Sequence, residues 1–229
     1  MHLLDRATVI HYHRHRIAEH GLGTPGALGW REPRSQQARF EAIAAAADFS
    51  HARVLDIGCG TADLLPYLAA RFEGIRYHGI DTVPEFIAHA AERHGPAHPG
   101  ARFELGNAFD FARPLPPAEV VVACGALGYR SREPDFVWNA LRHLWAATLR
   151  TLVFTVLDAA VFPAHPLLVG QDVAEVEGFC RRLTPNVRVL RGVAGDDVTV
   201  VLHALPVTDD HDMHAIPVPL SESFLPREN

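Results

Sequence analysis

From Arg53 onward the chain alternates short apolar runs with longer stretches whose apolar positions recur every three or four residues. "RVLDIG" reads as a buried strand and "DLLPYLAARF" as a helix. "RYHGID" is again a strand, and "PEFIAHAAERH" a helix with Pro84 near its start. "ARFELGN" and "AEVVVACGAL" continue as strands, "PDFVWNALRHLWAA" as a helix and "TLVFTVLD" as a strand. Short β runs separated by helices of this length predict βαβ crossovers, hence a parallel sheet covered on both faces. After the helical "QDVAEVEGFCRRL", the runs "NVRVLRGV" and "DVTVVLHAL" are joined by the short "AGD" turn. That turn permits only an antiparallel hairpin, so the sheet is expected to end with one reversed strand.

The flanks follow other patterns. Residues 1–48 read as helical with a break at "HGLGTPGALGW", and "SQQARFEAIAAAADF" reads as a second helix capped by Ser35. Beyond Leu205 the chain is proline-rich and aperiodic. The expected organisation is a helical lid over 1–48, a core over 49–205 and a tail over 206–229.

At 229 residues and 48% hydrophobic, the chain can bury one substantial core. Its formal charge of -6, with bases scattered rather than striped, argues against a nucleic-acid partner. No apolar run reaches the roughly 18 residues of a membrane span, and the amino terminus lacks a signal-peptide core. Three unpaired cysteines, Cys59, Cys124 and Cys180, fit a reducing compartment, so the expectation is a cytoplasmic protein without membrane attachment. Oligomeric state is left open. Among fifteen histidines, "HYHRH" and "HDMH" have chelating spacings but no accompanying cysteine or acid cluster, and no metal is expected.

The chemistry concentrates at "VLDIGCGTADLL", a strand running into a glycine turn. Such a turn places backbone N–H groups and a helix N-terminus at the carboxyl edge of the sheet. Asp56 precedes Gly58 and Gly60, and Asp63 stands where a dinucleotide fingerprint has its third glycine. Two carboxylates there repel a pyrophosphate and welcome a cation. Asp81, closing the next strand, stands where a carboxylate meets a ribose diol. A nucleoside carrying positive charge and no pyrophosphate describes S-adenosylmethionine.

On these residues the chain resembles the class I S-adenosylmethionine-dependent methyltransferases. "VLDIGCGTAD" is similar to their glycine motif, Asp81 to their ribose acid, and "GNAFDF" to the loop framing adenine. "ALGWREPRSQQARF" and "VEGFCRRLTPNVRVLRG" are similar to a group of small bacterial methyltransferases. The resemblance implies a Rossmann-like seven-stranded sheet with an antiparallel last strand. It also implies a cofactor held by Asp56, Gly58, Cys59, Gly60, Asp63, Asp81, Thr82, Asn107, Ala108, Phe109 and Cys124. Asp56 would face the methionine end, Phe109 and Asp110 the adenine, and Arg39 the cofactor carboxylate. Ala62 departs from the family glycine.

"ACGALGYR" follows the fourth strand, where the methyl should emerge, and lacks the Asn/Asp-Pro-Pro-aromatic signature of base and amide methylation. A small-molecule acceptor is therefore expected, near Tyr12, His13, Trp30, Tyr129, Arg130 and His165, with Gln36 as a further covering residue. The alternatives are a cofactor-binding sensor or partner subunit that transfers nothing, and a nicotinamide-dependent oxidoreductase.

Overall fold

The computed structural model describes residues 1–30 and 32–204. The tail expected over 206–229, with its "HDMH" histidines, lies outside the described residues. Two helices come first, α1 (Leu3–His20) and α2 (Pro33–Ala44). There follow β1 (Arg53–Ile57), α3 (Leu64–Ala69), β2 (Arg76–Asp81), α4 (Pro84–His94), β3 (Arg102–Leu105) and β4 (Ala118–Ala123). The chain continues through α5 (Phe136–Ala146), β5 (Thr148–Leu157), α6 (Val173–Leu183), β6 (Val187–Ala194) and β7 (Asp197–His203).

The seven strands form one sheet in the order β3-β2-β1-β4-β5-β7-β6. β1 pairs in parallel with both β2 and β4, and β4 with β5. β7 runs antiparallel to β5 on one side and β6 on the other. The reversed strand is thus the last among the described residues but interior in the sheet, because the Gly195–Asp196 turn folds β7 back into the gap beside β5.

Alternate strand residues serve opposite faces, which is why these runs are continuously apolar. Leu55 and Ile57 of β1, with Val121 and Ala123 of β4, join a core under α5 and α6. Val54, Val120 and Val122 join the core on the other face with Phe40, Ile43 and Leu68. On α5 the buried Phe136, Val137, Ala140, Leu141 and Leu144 recur at three- and four-residue spacing, so one side of the helix seats on the sheet. The Asp172 carboxylate caps α6 by accepting from Ala174 N (2.8 Å) and Glu175 N (3.1 Å).

Ser35 is not the cap of α2. The helix begins two residues earlier, where proline supplies a helical φ at a position that needs no N–H, and the Ser35 hydroxyl donates to the Glu32 carbonyl (2.8 Å). No helix among the described residues is long and apolar enough to cross a membrane.

β1 and β4 are neighbours in space, while the chain leaves β1 toward β2 on the opposite side. The crevice at the carboxyl ends of these strands is where open α/β sheets take ligands. α1 lies over this edge, fastened to the loops of three different strands. The Arg6 guanidinium donates to Thr82 after β2 (2.7 Å), and Asn107 after β3 donates to the Met1 carbonyl (3.1 Å). The Asp5 carboxylate accepts from Ser131 Oγ (2.9 Å), the Arg132 N–H (2.8 Å) and the Arg132 guanidinium, all after β4.

Candidate active site

A cavity of about 940 Å³ occupies that crevice, at the upper end of ordinary ligand pockets. Its floor is the glycine turn. Gly58 (φ +71°) and Gly60 (φ +55°) take left-handed conformations, and Ala62 does too (φ +57°), at a cost of roughly 1–2 kcal/mol for a residue with a Cβ. A side chain at Gly58 would stand 2.8 Å from the Ala126 Cβ, so the turn can lie against the loop after β4 only with glycine there.

The acids around the turn are held by the protein. Asp81, at the end of β2, accepts from Gly60 N at one oxygen and Val83 N at the other, both at 2.8 Å. Those two bonds fix the plane of the carboxylate at the cavity wall, and each oxygen keeps acceptor capacity for a diol. Burial raises the Asp81 pKa against the pull of these N–H groups. Asp56 is 3% exposed and accepts from the Tyr77 hydroxyl (2.6 Å). Burial lifts its pKa to about 7, Tyr77 opposes the rise, and the Asp81 charge adds to it. Two desolvated acids, one of them raised further by the charge of the other, form a pocket suited to a cation. Asp63 also lines the cavity, and Thr61 donates to it (2.7 Å).

Cys59, Gly60, Thr82, Asn107, Ala108, Phe109 and Cys124 also line the cavity, where their placement on the glycine turn and the loops after β2, β3 and β4 puts them. Asn107 accepts from Phe109 N (3.2 Å), which closes the loop on itself. The Phe109 ring is 5% exposed and meets Phe136 edge-on at 5.3 Å, so it belongs chiefly to the core, and its carbonyl accepts from the Met1 amine. Burial pushes the Cys124 thiol up to about 12, which removes it as a nucleophile near neutrality.

Arg39 lines the cavity and is buried rather than on the surface, and its guanidinium already has partners within the protein. Its side chain is 5% exposed and ion-paired with Asp197 at the start of β7. It also donates to the Ser35 carbonyl (2.6 Å) and lies over the Trp30 ring, 4.5 Å from the centroid. Trp30 in turn fills the space beside Gly125. The acceptor candidates divide. Tyr12, His13, Trp30, Tyr129 and His165 line the cavity, as does Gln36. Arg130 is exposed and does not, because its guanidinium turns outward to donate to the His165 carbonyl (3.0 Å). His165 Nδ1 accepts from Leu167 N (3.2 Å) and Leu168 N (3.0 Å).

His13 is 5% exposed and shares the buried side of α1 with Asp5 and Val9. Its Nδ1 is 3.0 Å from the Ala27 carbonyl and its Nε2 is 2.6 Å from the Tyr129 hydroxyl. Tyr77, Asp197, Asp5 and Arg6 were not singled out by sequence reasoning. Only Tyr77 had a signal, a polar aromatic two residues from Gly79 in a strand that must sit beside β1.

A methyltransferase-domain profile matches residues 55–148. The trans-aconitate 2-methyltransferase of Mycobacterium tuberculosis is 36% identical over 85 residues, 37% of this chain and 30% of that protein. This stretch therefore spans under a third of that relative. The enzyme of the same name from Mycolicibacterium gilvum is 27% identical over 210 residues, covering 76% of this chain and 80% of its own. Magnesium protoporphyrin IX methyltransferase from Synechocystis, solved with S-adenosylmethionine bound, superposes with a TM-score of 0.64 at 14% identity. That match covers 87% of this chain and 96% of that one. The fold and strand order agree with the matched domain: residues 55–148 match a methyltransferase domain, and the sheet around them is built as in the methyltransferase structures it superposes on.

Proposed function

We propose that the protein transfers a methyl group from S-adenosylmethionine to a small-molecule acceptor. The observation that carries this reading is the pair of desolvated acids, Asp56 and Asp81, on either side of a glycine turn at the floor of the cavity. The residues fit the cofactor's chemistry: Asp81 offers acceptors for a ribose diol, Asp56 a partner for the ammonium group, and the loop Asn107–Phe109 a frame for adenine. When bound, the cofactor supplies a methyl on a sulfonium, already activated for displacement. What remains for the protein is alignment and exclusion of water. α1, tied by Asp5, Arg6 and Asn107 across the cavity, serves as the cover.

The relatives named for trans-aconitate support an acceptor of metabolite size, and a cavity of about 940 Å³ agrees with it. The test is incubation of a small-molecule extract with the protein and methyl-labelled cofactor. A single labelled compound well below macromolecular mass is expected, and label only in protein or nucleic acid would overturn the reading.

A further inference from the structure

A hydrogen-bonded chain on the cavity wall, apart from the acids assigned to the cofactor, runs from Tyr129 through His13 to the Ala27 carbonyl. A carbonyl can only accept, so Ala27 fixes the His13 proton on Nδ1. Nε2 is then the bare nitrogen, and Tyr129 donates its hydroxyl proton to it. The Tyr129 oxygen retains lone pairs. It stands on the loop after β4, on the wall of the cavity, with Phe86 and Tyr12 closing round the imidazole at ring-centroid separations of 5.1 and 5.0 Å.

Resting on the methyltransferase reading above, we propose that Tyr129 is a catalytic residue that takes the proton released by the methyl acceptor. His13 positions Tyr129 and receives its proton at Nε2, so the acceptor is a hydroxyl or amine rather than a carboxylate. As the acceptor heteroatom bonds to the methyl carbon, the carbon–sulfur bond breaks and its electron pair passes to sulfur. The acceptor's proton moves to the Tyr129 oxygen while the Tyr129 proton moves to His13. An imidazolium remains, and it returns its proton to solvent when product leaves. Carboxylate acceptors are already ionised near neutrality and leave such a relay nothing to carry.

Burial depresses the His13 pKa, the Ala27 carbonyl opposes this, and the Arg16 charge adds to it. The ring is therefore neutral and able to accept across the physiological range. Around His13, Tyr12 and Arg16 come from its own helix and Tyr129 from the loop after β4. Asp81 lies within electrostatic reach of Tyr129, and Phe86 of α4 brings no charge.

The experiment uses the full chain, methyl-labelled S-adenosylmethionine and a small-molecule extract, and treats the labelled product with mild alkali. Methyl ethers and methylamines keep their label, whereas methyl esters release it as methanol. Base-stable label is expected. Tyr129→Phe and His13→Gln should each lower kcat at least tenfold with KM for the cofactor and binding of S-adenosylhomocysteine unchanged. The acid limb of the wild-type kcat–pH profile, taken at saturating S-adenosylmethionine, should disappear in His13→Gln. Nitrogen NMR of the wild type should show the neutral His13 ring protonated on Nδ1. Base-labile label, unaltered kcat in either variant, or no labelled product despite cofactor binding would overturn the proposal. Failure to bind S-adenosylmethionine at all would instead remove the methyltransferase reading on which it stands.

Discussion

The Tyr77 hydroxyl donates to the Asp56 carboxylate at 2.6 Å, beneath the glycine turn and out of contact with water. This bond is the protein's own partial substitute for the cation that the pocket is shaped to receive. With only that neutral donor, the Asp56 carboxyl titrates at about 7.

Cofactor binding should accordingly be linked to proton release. A bound ammonium requires ionised Asp56, and below about pH 7 the free protein holds the proton. Affinity for S-adenosylhomocysteine, which keeps the ammonium, should fall as pH drops through that value, by up to roughly tenfold per unit. Calorimetry in buffers of different ionisation enthalpy reads the released proton directly. Asp56→Asn should bind more weakly at alkaline pH and lose the dependence, and a flat wild-type profile would count against this placement of the ammonium.

Arg39 and Asp197 form a buried ion pair joining α2 to β7, with each side chain almost wholly withdrawn from water. Removal of one partner leaves the other's charge uncompensated, so Asp197→Ala should lower unfolding free energy by about 3–5 kcal/mol. The double variant Arg39→Met with Asp197→Leu should cost less than Asp197→Ala. Denaturant titration decides it, and an unchanged midpoint in Asp197→Ala would show that the pair holds nothing together.

The Asp5 bonds to Ser131 and Arg132 tie α1 to the loop after β4. Asp5→Ala should speed hydrogen exchange in α1 and around residues 126–132, leaving exchange in β1, β4 and β5 as in the wild type. Equal protection of α1 in both proteins would place its attachment elsewhere.

Gly58→Ala should both destabilise the fold and weaken cofactor binding. Its φ of +71° costs an alanine roughly 1–2 kcal/mol, and the new Cβ would meet Ala126 at 2.8 Å. A thermal midpoint within error of the wild type would mean that the turn relaxes more easily than its geometry implies.

The sheet was legible because its cause is local. Val54, Val120 and Val122 belong to runs buried on both faces, and such runs announce themselves without knowledge of their partners. The acids at the glycine turn were legible for the same reason, since Asp56 and Asp81 stand at strand ends whose positions the alternation fixes. What escaped reading depends on distant partners. Arg39 finds Asp197 across 158 positions and His13 finds Tyr129 across 116, and no periodicity records either pairing. The "HYHRH" run looked like solvated histidines, and for His11 it is so. Of the three histidines only His13 turns inward, with Tyr12 beside it on the cavity wall, while His11, Arg14 and His15 face water. Arg130, next to Tyr129, was grouped with it by sequence and separated from it by the backbone, which turns the two side chains to opposite sides.

The most direct test is calorimetric titration of the folded protein with S-adenosylhomocysteine, set beside NAD. Saturable one-to-one binding of S-adenosylhomocysteine is expected, with no heat from NAD. Asp81→Ala should weaken it by roughly 1.5–3 kcal/mol, or about 10- to 150-fold, through loss of charged hydrogen bonds to the ribose. Absence of S-adenosylhomocysteine binding by a protein shown to be folded would contradict the account at its root.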